Sequence, residues 1–211
     1  MTDERANASA APPDRVPPLN IANVLTVLRI VMVPFFVWFL LADGQQYSWW
    51  RWVAVLVFTV AIYTDKLDGD LARKHGLVTD FGKIADPIAD KMLIGAALIL
   101  LSAFGELPWW ITVLILLREV GITVLRFVVI RHGVIPASRG GKIKTVLQTV
   151  AIFLYLLPLT PQWPWLGMIA FLVMLAAFAV TLLTGVDYLV QAARLRRSGN
   201  QPAEAREGDR G

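Results

Sequence analysis

The chain has 211 residues, 56% of them apolar and 17% charged, with a positive mean hydropathy. A water-soluble domain carries about a quarter charged residues, so one soluble core cannot absorb this apolar surplus and a bilayer is the expected solvent. The absence of cysteine excludes disulfide frameworks and thiolate metal sites, and with a formal charge of only +4 no nucleic-acid partner is expected.

In chain order, residues 1–20 are rich in Ala, Pro and charge and read as a disordered cytoplasmic segment, without the apolar stretch of a secretory signal. Residues 21–197 form one all-α domain. Six apolar blocks, near 22–42, 49–67, 87–105, 107–131, 145–161 and 164–190, are each long enough for a transmembrane helix, which needs about 20 residues. The Pro-rich stretch from Pro158 to Pro164 is the clearest break. Residues 198–211 read as a disordered cytoplasmic tail.

The connections alternate in charge. Those at 43–48, 105–107 and 158–164 contain no Lys or Arg, whereas 68–86 carries Arg73, Lys74 and Lys83, and 131–144 carries Arg131, Arg139, Lys142 and Lys144. The positive-inside rule predicts that both termini and both basic connections face the cytoplasm, giving a polytopic protein of the cell membrane with six transmembrane helices. Trp49, Trp50, Trp52, Trp109, Trp110, Trp163 and Trp165 then fall at the outer interface, as an aromatic belt does.

Acidic residues gather at the junction of the second and third blocks. Asp65 and Asp68 are three apart and Asp86 and Asp90 four apart, so on helices each pair shares a face. Adjacent antiparallel helices would bring all four together at the membrane surface. At about 4 Å and an effective dielectric near 20, each like-charge pair costs roughly 4 kcal/mol. Divalent cations with oxygen ligands would offset that cost, and two Mg²⁺ or Mn²⁺ ions suit an all-carboxylate site. The competing explanation is capping or simple solvation: Asp86 before Pro87 reads as an N-cap followed by proline at the first helical position. Between the pairs, Gly69 permits close backbone approach, Arg73 offers a fork for a phosphate, and Gly82 allows close packing where the chain returns.

The pattern Asp65-x2-Asp68-Gly69-x2-Ala72-Arg73-x8-Gly82-x3-Asp86-x3-Asp90 resembles the signature of the CDP-alcohol phosphatidyltransferases at every fixed position. Eight such matches would arise by chance on the order of once in 10¹⁰ windows at about 5% usage each. The resemblance implies that Asp65 and Asp86 bridge two metals, that Asp68 and Asp90 complete one each, and that Asp90 is the general base. It also implies that Gly69, Arg73, Thr79 and Gly82 border the CDP group of a CDP-diacylglycerol donor. Asn23-x-x-Thr26-x-x-Arg29 resembles a further family element near the nucleotide, although Arg29 could equally snorkel to the interface.

For the acceptor alcohol, Arg118 and Glu119 lie deep in the fourth block, where charge is a functional candidate by default. Ser138, Arg139, Lys142 and Lys144 follow in a Gly-rich connection suited to an anion. Contact with anionic lipid headgroups or a structural Arg118–Glu119 ion pair would explain these residues as well. Within the family, the combination resembles bacterial members that use sn-glycerol 3-phosphate. An inositol phosphate, or phosphatidylglycerol as in cardiolipin synthesis, is the alternative acceptor. The resemblance leaves a homodimer open, and no heptad or small-xxx-small pattern decides it. An ion-coupled transporter is the reading from another class, but it predicts polar residues spread along several spans and inverted repeats, which the sequence lacks.

Overall fold

A chain in hydrocarbon must satisfy its own N–H and C=O groups, and a helix does so within one segment. Each apolar block forms one helix in the computed structural model, which describes residues 21–75, 79–129, 139–160 and 162–198. The elements are α1 (Ile21–Asp43), α2 (Trp49–His75), α3 (Asp80–Ala103), α4 (Trp109–Val129), α5 (Arg139–Leu156) and α6 (Pro164–Ser198). The two end segments expected to be disordered lie outside the described residues. Judged by length and composition, α1 over Asn23–Asp43 and α6 over Pro164–Val190 are able to cross a membrane.

Helix α3 is central, packing against α1, α2, α4 and α5, while α6 packs on α4 and α5. Its fully buried face of Leu93, Ala97, Leu98 and Leu101 meets Phe36 and Leu40 of α1, Phe58 of α2, Ile111 and Ile115 of α4, and Ile152 of α5 in one core. The bundle is apolar outside as well: Leu117, Met168 and Leu183 are 63%, 66% and 71% exposed. Such a surface has no driving force to hide itself from lipid.

Two helix boundaries differ from the sequence expectation. Helix α2 continues two turns past residue 67, and α3 starts at Asp80 instead of 87, so most of the expected 68–86 connection is helical. The start is set by Thr79, whose extended backbone (φ −106°, ψ 159°) lets its Oγ1 accept from the Gly82 N–H at 3.1 Å. Asp86 is therefore not the N-cap, and Pro87 sits inside α3, where it removes one backbone hydrogen bond without ending the helix.

The end of the bundle holding the Trp-rich starts of α2 and α4 is tied by a buried ionic knot. The wholly buried Arg51 donates to both Glu106 oxygens at 2.8 and 2.5 Å, and to the carbonyls of Tyr155 and Leu156 at 2.9 and 3.0 Å. It covers the Tyr47 ring at 4.4 Å and lies 3.7 Å from the buried Asp43 carboxylate. Burial, with Glu106 adding, raises the Tyr47 phenol above its usual pKa and keeps it a neutral donor to that carboxylate. Arg51 thus fastens α2 to the α3–α4 turn and to the carbonyl end of α5. Being neutralised and buried, it does not count against the charge asymmetry of the connections.

Candidate active site

Three polar residues spaced three apart on α1, Asn23, Thr26 and Arg29, share a helix face and are all buried. An apolar helix hides such groups only where partners meet them. Arg29 Nη1 lies 2.6 Å from Asp65 Oδ1 of α2. Thr26 Oγ1 donates to Asp86 Oδ1 of α3. Asn23 Oδ1 accepts from Thr79 Oγ1 at 2.7 Å. Arg29 therefore points inward and does not snorkel.

Gly82 closes this corner. A Cβ there would stand 3.2 Å from Asn23 Oδ1, 3.3 Å from Thr79 Oγ1 and 3.7 Å from Asp86 Oδ2, so three oxygens converge on the space a side chain would fill. The requirement for glycine is steric, since no left-handed φ is involved.

One turn beyond Asp86, Asp90 lines a cleft of about 390 Å³. Asp90 and Lys91 of α3, Arg118, Glu119 and Thr123 of α4, Lys144 and Thr145 of α5 and Tyr188 of α6 line it. Asp90 feels the charges of Asp65, Lys144, Arg29 and Glu119, so Asp65 and Asp90 act on one another across the α2–α3 junction. Glu119 Oε1 accepts from Arg118 Nη1 at 2.9 Å and from Lys144 Nζ at 2.5 Å. Arg118 Nη2 donates to Thr184 Oγ1 of α6 at 2.8 Å, while its buried Nε–H has no partner. Gly185 makes room for this arginine: a Cβ there would be 3.4 Å from its Cγ. Lys91 Nζ donates to Thr123 Oγ1.

Of the residues singled out from sequence, Asn23, Thr26, Asp65, Thr79, Gly82 and Asp86 gather at the α1–α2–α3 corner. Asp90, Arg118 and Lys144 meet at the adjoining cleft. Lys142 is exposed and is not part of the cleft wall. Asp68 and Arg73 lie on α2, with Gly69 half-buried between them, and Arg139 opens α5, but the side chains of Asp68, Arg73 and Arg139 lie outside the described residues, as does Ser138 altogether. Lys91, Thr184 and Tyr188 were not anticipated. Thr184 and Tyr188, one turn apart on α6, carried a signal that helix spacing could have exposed.

Among the described residues no three acidic or imidazole groups form a metal cage by themselves. The donor set nevertheless suits a hard cation, since Asp65, Asp86 and Asp90 offer carboxylate oxygens at one end of the bundle.

Fold and site together define a helical membrane protein with an acidic, oxygen-rich centre beside a cationic cleft. The family model described as CDP-alcohol phosphatidyltransferase matches residues 19–183, and the chain belongs to that family of transferases, whose chemistry in general depends on a divalent metal. It is 56% identical over 175 residues to a probable phosphatidylglycerophosphate synthase of Mycobacterium tuberculosis, covering 83% of this chain and 82% of that one. It is 39% identical over 151 residues to the CDP-diacylglycerol–glycerol-3-phosphate 3-phosphatidyltransferase of Bacillus subtilis, covering 65% and 77% of the two chains. It is 37% identical over 139 residues to the enzyme of the same name from Escherichia coli K12, covering 63% and 74%. Membership of an enzyme family sets the transporter reading aside.

Proposed function

We propose that this protein transfers the phosphatidyl group of CDP-diacylglycerol to sn-glycerol 3-phosphate, giving phosphatidylglycerophosphate and CMP. The observation that carries the reading is the cationic cleft opening directly beside Asp90: Arg118 and Lys144 suit the phosphate of an acceptor whose hydroxyl must reach that carboxylate. The names of the three relatives support the same donor and acceptor.

In the reaction, the acceptor hydroxyl attacks the β-phosphorus of the donor in line, the bond from that phosphorus to the bridging oxygen breaks, and CMP leaves with that oxygen. Asp90 takes the hydroxyl proton. Asp65, Asp68, Asp86 and Asp90 would hold Mg²⁺ or Mn²⁺, two ions in the full arrangement, which supply charge neutralisation at the diphosphate. Arg29 and Thr26 orient Asp65 and Asp86 from behind, the role that fixed supporting groups play around a charged centre. Gly69, Arg73, Thr79 and Gly82 border the CDP group. Arg118 and Lys144 take the acceptor phosphate, with Ser138, Arg139 and the exposed Lys142 at its approach.

The protein spans the cell membrane six times, with both termini and the active site on the cytoplasmic side. The apolar exteriors of the helices and the alternation of Lys and Arg among the connections support this topology. Two substrates of opposite solubility suit a site at that surface, where the alcohol arrives from water and the acyl chains from lipid.

The test supplies purified protein with CDP-diacylglycerol and a panel of glycerol 3-phosphate, inositol phosphate and phosphatidylglycerol, and identifies the lipid formed. Phosphatidylglycerophosphate is the expected product; a lipid from another alcohol would overturn the acceptor. Asp90→Asn should insert normally and release no CMP, and near-normal release would remove Asp90 from its role.

A further inference from the structure

Helices α4 and α5 do not pack on each other among the described residues; each leans on α3 and α6 instead. The cationic cleft is the wedge left between them. Its two cations come from opposite walls, Arg118 from α4 and Lys144 from α5, and like charges so placed repel. What holds them together is a single oxygen, Glu119 Oε1, which accepts from both. Their donor nitrogens are therefore less than two hydrogen-bond lengths apart, a spacing that two oxygens of one phosphate can bridge. Thr184 holds the other arm of Arg118, and the buried Nε–H of that arginine is left for a ligand to satisfy.

We infer that Glu119, assisted by Thr184, is a positioning residue that presets Arg118 and Lys144 as a paired receiver for the acceptor's phosphate. The inference rests on the functional reading above and adds a role to it: an anion inside an anion-binding cleft that strengthens binding by placing the cations. A Glu119 that merely diluted the positive field would do the opposite, because removing a negative charge beside a phosphate site raises the local potential and tightens binding. The two accounts differ in sign.

The experiment measures transfer kinetics of the purified full chain in detergent, varying glycerol 3-phosphate and CDP-diacylglycerol separately. Glu119→Gln should raise the KM for glycerol 3-phosphate about ten- to hundredfold, as expected when charge-assisted contacts to two cations are lost. The donor KM and the kcat at saturating acceptor should stay within about twofold, since only ground-state placement of the acceptor is disturbed. Inorganic phosphate, used as a competitive probe, should weaken by the same factor. Thr184→Val should raise the acceptor KM about threefold, a fraction of what a hydrogen bond to a cation contributes because Glu119 still holds the arginine, and Thr184→Ser should restore it.

A lower acceptor KM in Glu119→Gln would overturn the inference in favour of simple charge dilution. Equal losses toward both substrates with a lowered unfolding temperature would overturn it in favour of a structural ion pair. Should Glu119→Gln not fold, the Thr184→Val and Thr184→Ser pair decides by the same criteria. If the parent chain uses another phosphorylated alcohol, the acceptor assignment fails while the comparison, run on that alcohol, still tests the clamp. A parent inactive with every phosphorylated alcohol overturns both.

Discussion

Replacing Arg51 by methionine should make the protein unfold earlier while leaving its chemistry intact at low temperature. The guanidinium is wholly buried and makes hydrogen bonds to Glu106, Tyr155 and Leu156. Without it, two carboxylates remain at one spot. Asp43 is fully buried, and although its Oδ1 accepts from the Ser48 N–H and hydroxyl, its Oδ2 has no hydrogen bond and lies 3.7 Å from Arg51. Breaking a buried ionic cluster from one side costs about 3–5 kcal/mol. At about 2–4 °C per kcal/mol for a chain of this size, the thermal midpoint should fall by about 10 °C. The knot lies fourteen residues from Asp65 along α2, about 21 Å at the helical rise, so the reacting groups should not sense the change. Tryptophan fluorescence during heating in detergent gives the midpoint, and CMP release well below it gives the rate. Glu106→Gln, which retains one acceptor oxygen and leaves Asp43 to balance the arginine, should lose less. An unchanged midpoint in Arg51→Met, or a fall in kcat without one, would refute this reasoning.

At the other end of the bundle, Gly82→Ala should lower kcat far more than stability. Its Cβ must push apart Asn23 and Thr79 at 3.2 and 3.3 Å and shift Asp86 beyond, an overpacking cost of about 1–3 kcal/mol; CMP release and thermal midpoint measured together check the split. Lys144→Ala should raise the KM for glycerol 3-phosphate at least about tenfold by removing a charged contact, whereas Lys142→Ala, exposed outside the cleft, should change it little; steady-state kinetics of the two variants decide. Chelation should abolish transfer, and added Mg²⁺ or Mn²⁺ should restore it without any change in helix content by circular dichroism.

The parts of this molecule that follow from spacing were legible in the sequence. Carboxylates three and four residues apart imply a shared face whatever the exact helix boundaries, and Asp65, Asp86 and Asp90 do lie at one end of the bundle, though without closing into a cage among the described residues. Phase and capping were harder to read. Asp86-Pro87 has the form of a helix start, but Thr79 offers its oxygen seven residues earlier, and the added turns bury Gly82 and Ala85. Lys142 and Lys144 look equivalent in a Gly-rich connection; on a helix, two residues lie about 200° apart, so only one of them faces the cleft. Arg51, Asp43 and Glu106 come from three separate segments, each unremarkable alone, and no local pattern shows that they converge. Arg29 could not be read because an arginine near a helix end has both an apolar stem for lipid and a charge for a carboxylate, and only the neighbouring Asp65 settles which is used.

The central place of α3 divides the work of the molecule along the order of synthesis. Its Asp86 is bonded to α1, and its Asp90, within reach of the same charges, also lines the cleft shared with α4, α5 and α6. The corner around Gly82 therefore draws its residues from the first three helices to emerge, whereas the cationic wedge needs the sixth. Under the proposed roles, a truncated product ending in the α3–α4 turn would retain the nucleotide-facing half while lacking any seat for the alcohol. Such a fragment would have no reason to turn over its donor, and full activity would arise only in a finished polypeptide.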